Sequence, residues 1–132
     1  MVLTKPYLNT AFSKLADEEQ IERAAKALEK NGIRVVRAEN SEEARKKLLD
    51  LIPNGAEVFT STSRTLDSIG VIPEINAKFD SVRVKLATMD PKTQNREMQK
   101  LGATPEYMVG SVHAVTEDGK VVVASNTGSQ LT

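Results

Sequence analysis

The sequence predicts an α/β fold: a mostly parallel sheet with flanking helices and a C-terminal hairpin. Three observations carry that expectation. A β-branched run, an amphipathic stretch and a second β-branched run follow one another between residues 33 and 60. That is the succession of a βαβ unit, whose strands run parallel and whose crossover is right-handed. A capped amphipathic stretch precedes them, as expected of a helix covering a sheet. Near the C terminus, Glu117-Asp118-Gly119 divides two apolar runs, and Asp-Gly is a strong signal for a tight hairpin.

Residues 1–16 are weakly patterned and are expected to form an N-terminal arm or short helix, anchored by Phe12 and Leu15, ahead of a single domain over residues 17–132. Asp17 can cap a helix, with Gln20 where a capping box needs it. Ile21, Ala24, Ala25 and Leu28 form one apolar stripe, and Asn31-Gly32 is a suitable stop because glycine accepts the left-handed conformation. The run from Ile33 to Ala38 has the composition of a strand. Ser41 is the expected cap of the next helix, with Ala44, Leu48, Leu49 and Ile52 inward and Pro53-Asn54-Gly55 as its breaker. Ala56 to Thr60 is the second expected strand.

The middle is less regular. Leu66 to Ile69 and Pro73 to Phe79 look helical. Ser81 to Leu86 alternates like a strand, with helix or loop as the alternative. Asp90-Pro91 is a good helix start, with aspartate as cap and proline in the first turn; that helix would run to Leu101 and stop at Gly102. Tyr107 to Val109 is a short strand, and Val112–Thr116 and Lys120–Ala124 make the hairpin. Met89, Met98 and Met108 are expected as gap fillers.

Composition narrows the function classes. The 132 residues hold 18 Lys+Arg and 18 Asp+Glu, so the net charge is zero. The basic excess expected of nucleic-acid binding or of a polybasic membrane anchor is missing. With no cysteine and a single histidine, His113, the chain offers neither a thiolate nucleophile nor a multi-histidine metal centre. No apolar run approaches the ~20 residues of a membrane span, and the first residues lack a signal-peptide pattern. The expectation is a cytoplasmic protein with no metal and no bound cofactor.

Four constellations bear chemistry. Thr60-Ser61-Thr62-Ser63-Arg64-Thr65 packs five hydroxyls and a guanidinium into six residues after an expected parallel strand. Ligands of such sheets bind beyond the strands' carboxyl ends, where Ser61, Thr62 and Ser63 can donate and Arg64 can clamp an anion; the plain alternative is a capped helix start. Glu117, at the hairpin tip, can be a nucleophile or base or simply a turn residue. Ser125, Thr127 and Ser129 offer further donors after the last strand, or form a polar tail. His113 can transfer protons or merely pack with one hydrogen bond.

Four stretches together resemble the LUD (lactate-utilisation, lactate-utilisation protein C-like) domain family: Ala27 to Val36, Phe59 to Leu66, Met89-Asp90-Pro91, and Val109 to Gly119 continuing from Val121 to Leu131. The resemblance implies a three-layer α/β fold like that of the glucosamine-6-phosphate deaminase, ribose-5-phosphate isomerase and CoA-transferase superfamily, for which this chain looks C-terminally short. CoA transferases there carry a catalytic glutamate in a Ser-Glu-Asn-Gly turn, to which Thr116-Glu117-Asp118-Gly119 is similar; Glu117 is the matching position, although a shared fold does not transfer chemistry. Where lactate-utilisation protein C has a more glycine- and alanine-rich stretch, this chain has Gly110-Ser111-Val112-His113-Ala114-Val115. The implied function is binding of a small anionic metabolite (organic acid, sugar phosphate or acyl-CoA) linked to lactate utilisation. The alternative is a non-catalytic subunit beside iron–sulfur partner proteins, since a chain without cysteine has no thiolate for a cluster. An open strand edge would favour a homo-oligomer.

Overall fold

The computed structural model describes residues 14–125. In chain order the elements are α1 (Glu18–Lys30), α2 (Ser41–Leu51), β1 (Glu57–Thr60), α3 (Arg64–Ser68), α4 (Ile72–Lys78), β2 (Asp80–Ser81), α5 (Val82–Ala87), α6 (Asn95–Ala103), β3 (Tyr107–Val109), β4 (Ala114–Val115) and β5 (Val121–Val122). The described residues form two compact units, one of residues 14–35 with Val115–Lys120, the other of Val36–Ala114 with residues 121–125.

In the first unit, α1 begins as expected. The Asp17 carboxylate accepts from the Gln20 amide at 2.8 Å, and the Gln20 side chain accepts from the Asp17 amide at 3.1 Å. The reciprocal pair satisfies two donors that a helix start otherwise leaves orphaned. The helix stops in a Schellman motif: Gly32, at φ +83°, donates to Glu29 O at 2.9 Å and Ile33 donates to Leu28 O at 3.0 Å. Ile21, Ala24, Ala25 and Leu28 are half-buried. Leu15, expected as an anchor, is 88% exposed, and Phe12 lies outside the described residues.

The expected strand over residues 33–38 does not form. Its β-branched side chains favour an extended chain, but a strand exists only with a ladder partner. Among the described residues no strand pairs with it, and Ile33 and Val36 are each 42% exposed. The expected first βαβ unit is therefore absent, and parallel pairing begins later, at β1.

The second unit is built on β1. Parallel β2 and β3 flank it in the order β2-β1-β3, with Glu57 opposite Asp80 and Val58 opposite both Ser81 and Tyr107. Alternate residues of β1, Val58 and Thr60, are buried. The core joins Val58 and Val109 of the sheet to Ile52, Ala56, Leu66, Val71 and Ile75, with Leu48, Leu49 and Phe79 packed against it. Lys85 pairs with both Glu57 (2.7 Å) and Asp80, so two carboxylates that face each other across the ladder share one cation instead of repelling. Those bonds, to Asp80 first, hold the lysine above its ordinary pKa.

Local start and stop signals were shifted in three places. Asn40, not Ser41, caps α2, accepting from the Glu43 amide at 2.9 Å. Ser81 ends the two-residue β2 and caps α5, so from Val82 onward the stretch takes the helix that stood as the alternative to a strand. Asp90 closes a turn, accepting from the Lys92 amide at 3.0 Å, and α6 starts only at Asn95 and runs through Gly102. Aspartate before proline is chemistry shared by Asx turns and helix caps. Among the described residues no helix is long and apolar enough to cross a membrane.

Candidate functional site

The strand order places a reversal at β1. The connection after β1 leads to β2 on one side, while β3 lies on the other. In parallel sheets the loops leaving such a pair of strands diverge and open a crevice beyond their carboxyl ends. Here those loops are Ser61-Thr62-Ser63 and Gly110-Ser111.

They are tied together. Ser61 N donates to Val109 O at 2.8 Å, carrying the β1–β3 ladder one step past Thr60. Ser63 is buried; its hydroxyl accepts from the Leu66 amide at 3.2 Å, capping α3, and donates to Ser111 Oγ at 2.7 Å. Ser63 is thus a structural link, and the Ser111 hydroxyl keeps its own proton to donate elsewhere. Sequence reading missed Ser111, whose only signal is its place directly after a short strand and a glycine.

Gly110 allows the close approach. A Cβ there would stand 2.5 Å from Ser61 Oγ. Gly110→Ala is expected to turn the Ser61 hydroxyl away while leaving Tm nearly unchanged, because a short side chain can rotate. Thermal unfolding beside an anion titration separates the two effects.

Arg64 opens α3, is exposed, and makes no hydrogen bond or ion pair among the described residues. Thr62 is also exposed, and its hydroxyl accepts from Arg83 Nη2 at 3.3 Å. Arg83 is a second missed residue. It belonged to a stretch read as strand or helix; it lies on α5, and its Nε donates to Thr60 O at 2.8 Å.

Glu117 belongs to the first unit. Its Oε1 accepts from Gln20 Nε2 at 3.0 Å and its Oε2 from Arg23 Nε at 2.7 Å. Asn31 Nδ2 adds a bond to Gly119 O at 3.0 Å. These contacts fasten the hairpin tip to α1, so both carboxylate oxygens are occupied. The bonds from Arg23 and Gln20 hold the Glu117 carboxyl below its ordinary pKa. Because pairing favours the charged form, its stabilisation is complete above the ordinary glutamate value of about 4.3. It is lost as pH falls through the lower value of the paired carboxyl. A carboxyl-carbon NMR titration is expected to give a Glu117 midpoint below that of ordinary glutamates, returning to the ordinary range in Arg23→Ala.

His113 precedes β4. Its amide donates to Val122 O at 2.9 Å and its Nδ1 accepts from the Ala124 amide at 3.1 Å. A neutral ring so held carries its proton on Nε2, and can offer only a donor outward. Ser125 is half-buried beyond β5, whereas Thr127 and Ser129 lie outside the described residues.

An open hollow of about 560 Å³ lies at the opposite ends of β1 and β3, lined by Pro53, Asn54, Gly55, Ala56, Glu106 and Tyr107. The Glu106 carboxylate there is taken up by the Glu57 amide at 3.0 Å, and no lysine, arginine or histidine is among the lining residues. The donor-rich loops carry serine hydroxyls and a guanidinium, which the lining of this hollow lacks. Among the described residues no three His, Asp or Glu side chains are grouped to hold a metal ion.

Comparisons with curated proteins and with solved structures return no match. A family model described as "LUD domain" matches residues 21–132, a span that takes in the three-stranded sheet, both site loops and the hairpin. The chain belongs to the LUD domain family.

Proposed function

We propose that this chain binds a small anionic metabolite, an organic acid, sugar phosphate or acyl-CoA, at the carboxyl ends of β1 and β3. Membership of the LUD domain family associates the chain with lactate utilisation, which is consistent with an organic-acid ligand. The observation that carries the reading is the union of two donor-bearing loops at a strand-order reversal, locked by the Ser63–Ser111 bond. Ser61 and Ser111 supply hydroxyl donors and Arg64 supplies a guanidinium suited to bidentate carboxylate or phosphate recognition. Ser63 holds the loops in register. Glu117 serves first as an anchor; as a nucleophile or base it must leave its pair with Arg23.

Calorimetric titration with phosphate and with short organic acids tests this. Arg64→Ala is expected to weaken binding about tenfold, the size of a charge-assisted hydrogen bond. Equal binding by wild type and Arg64→Ala counts strongly against it.

A second reading follows from the family resemblance, which implies a non-catalytic subunit beside iron–sulfur partner proteins. A chain without cysteine leaves any iron–sulfur chemistry of lactate oxidation to partner proteins. Recovery of such a partner on co-purification from the native host favours that reading; recovery of this chain alone disfavours it. Among the described residues the outer edge of β3 has no strand partner, which supports a homo-oligomer. A monomer by light scattering at high concentration removes that inference.

A further inference from the structure

Arg83 occupies a place that the ladder geometry explains. β2 ends at Ser81 because the Ser81 hydroxyl turns to cap α5, accepting from the Val84 amide at 3.4 Å and donating to Asn76 Oδ1 at 2.7 Å. β1 therefore loses its partner on that side after Val58. Carried on by two residues, the same register would set residue 83 opposite Thr60. The backbone at 83 has already become helical, so no ladder amide reaches Thr60. A strand carbonyl left without a donor is costly to bury. The Arg83 side chain fills the gap, its Nε donating to Thr60 O at 2.8 Å and its Nη2 to Thr62 Oγ1 at 3.3 Å. Its guanidinium carbon stands 5.0 Å from the centroid of the Phe59 ring, within range of a cation–π contact.

An arginine at the surface is usually a mobile charge whose ordering costs entropy. This one is fixed on one edge by a carbonyl and a hydroxyl, and on one face by a ring. A guanidinium has five N–H donors, and two are spent here. The others have no acceptor among the described residues. The result is a preorganised, always-charged fork at the carboxyl end of the central strand, joined directly to the hydroxyl loop.

We propose that Arg83 is an oxyanion-binding residue of this site, offering its outer N–H edge to a phosphate or carboxylate group of the ligand. The proposal rests on the anion-site reading above. It adds that the ligand meets a second guanidinium, one that cannot swing away without releasing Thr60 O. Lysine cannot replace it, because one ammonium lacks the planar fork that serves the carbonyl and an anion together.

The test is titration of the full chain with inorganic phosphate at low ionic strength, followed by NMR. Two signals are read: the amides of Ser61 to Arg64, and the Arg83 side-chain Nε–H, assigned by its disappearance in Arg83→Lys. The expected result is that the Arg83 signal moves in step with the loop amides, and that Arg83→Lys weakens binding roughly tenfold while its ligand-free spectrum changes only around Phe59 to Thr62 and residue 83. If the loop amides move while the Arg83 signal stays, or if Arg83→Lys binds like wild type, the Arg83 proposal is overturned and the site reading stands. If neither signal moves in the wild type, both are overturned. Should Arg83→Lys fail to fold, the Arg83 Nε–H is assigned by through-bond correlation from its own backbone amide, and its shift in the wild type decides alone.

Discussion

Ile75→Ala is expected to lower unfolding free energy by about 2–5 kcal/mol, the range for truncating a large buried aliphatic side chain. Ile75 is fully buried at the middle of α4, within the cluster that contains Val58, Leu66, Val71 and Val109. The loss has two parts: transfer free energy of the removed carbons, and a cavity the neighbours can only partly refill. This core is small. Eight apolar residues are buried among the described residues, so each carries a large share of a stability of order 5–15 kcal/mol. Urea unfolding should show a lower midpoint with an unchanged slope. Ile75→Val removes one carbon and is expected to cost only about 0.5–1.5 kcal/mol. A loss below about 1 kcal/mol for Ile75→Ala would mean that α4 is not packed as described.

Gly119→Ala and Gly119→Asn are both expected to release the hairpin tip from α1. Two effects combine at this glycine. Its φ is +80°, which costs a side chain with a Cβ about 1–2 kcal/mol. In addition, a Cβ would lie 2.5 Å from the Ala27 carbonyl carbon and 2.6 Å from its oxygen, backbone atoms that cannot rotate away. Asparagine is the informative variant. At an ordinary left-handed turn it is tolerated nearly as well as glycine, but here it meets the same backbone. The bonds of Gln20 and Arg23 to Glu117, and of Asn31 to Gly119 O, should then be lost together. Hydrogen exchange is the measurement, with faster exchange expected at the Gly119 and Lys120 amides, which bond to Thr116. Retained protection in Gly119→Asn would show that the turn conformation, not the helix contact, selects glycine.

Legibility in the sequence followed the range of the interaction that decides each feature. The capping box at Asp17 and Gln20, the stop at Gly32 and the turn at Asp118-Gly119 are set by residues a few positions apart, and each is present. The run Ile33 to Ala38 misled because a strand needs a partner, and composition does not say whether one arrives. Ser81 to Leu86 stayed open between strand and helix because a serine that ends a strand can equally cap a helix, as Ser81 does. At the site, Ser61, Ser63 and Arg64 stood out by their own chemistry. Ser111 and Arg83 did not, since their roles come from pairing across 48 residues to Ser63 and 23 residues to Thr60. Glu117 stood out as a catalytic candidate, but its partners Gln20 and Arg23 lie 97 and 94 residues away and give it an anchoring contact invisible from the turn alone.

The central claim, an anion site where the loops after β1 and β3 meet, is tested most directly by mapping backbone amides during a phosphate titration of the wild-type chain. The account predicts saturable shifts that share one dissociation constant at Ser61 to Arg64 and at Gly110 and Ser111, with the amides around the Pro53–Ala56 hollow unmoved. Shifts confined to that hollow, or no saturable shift in either loop, would contradict it.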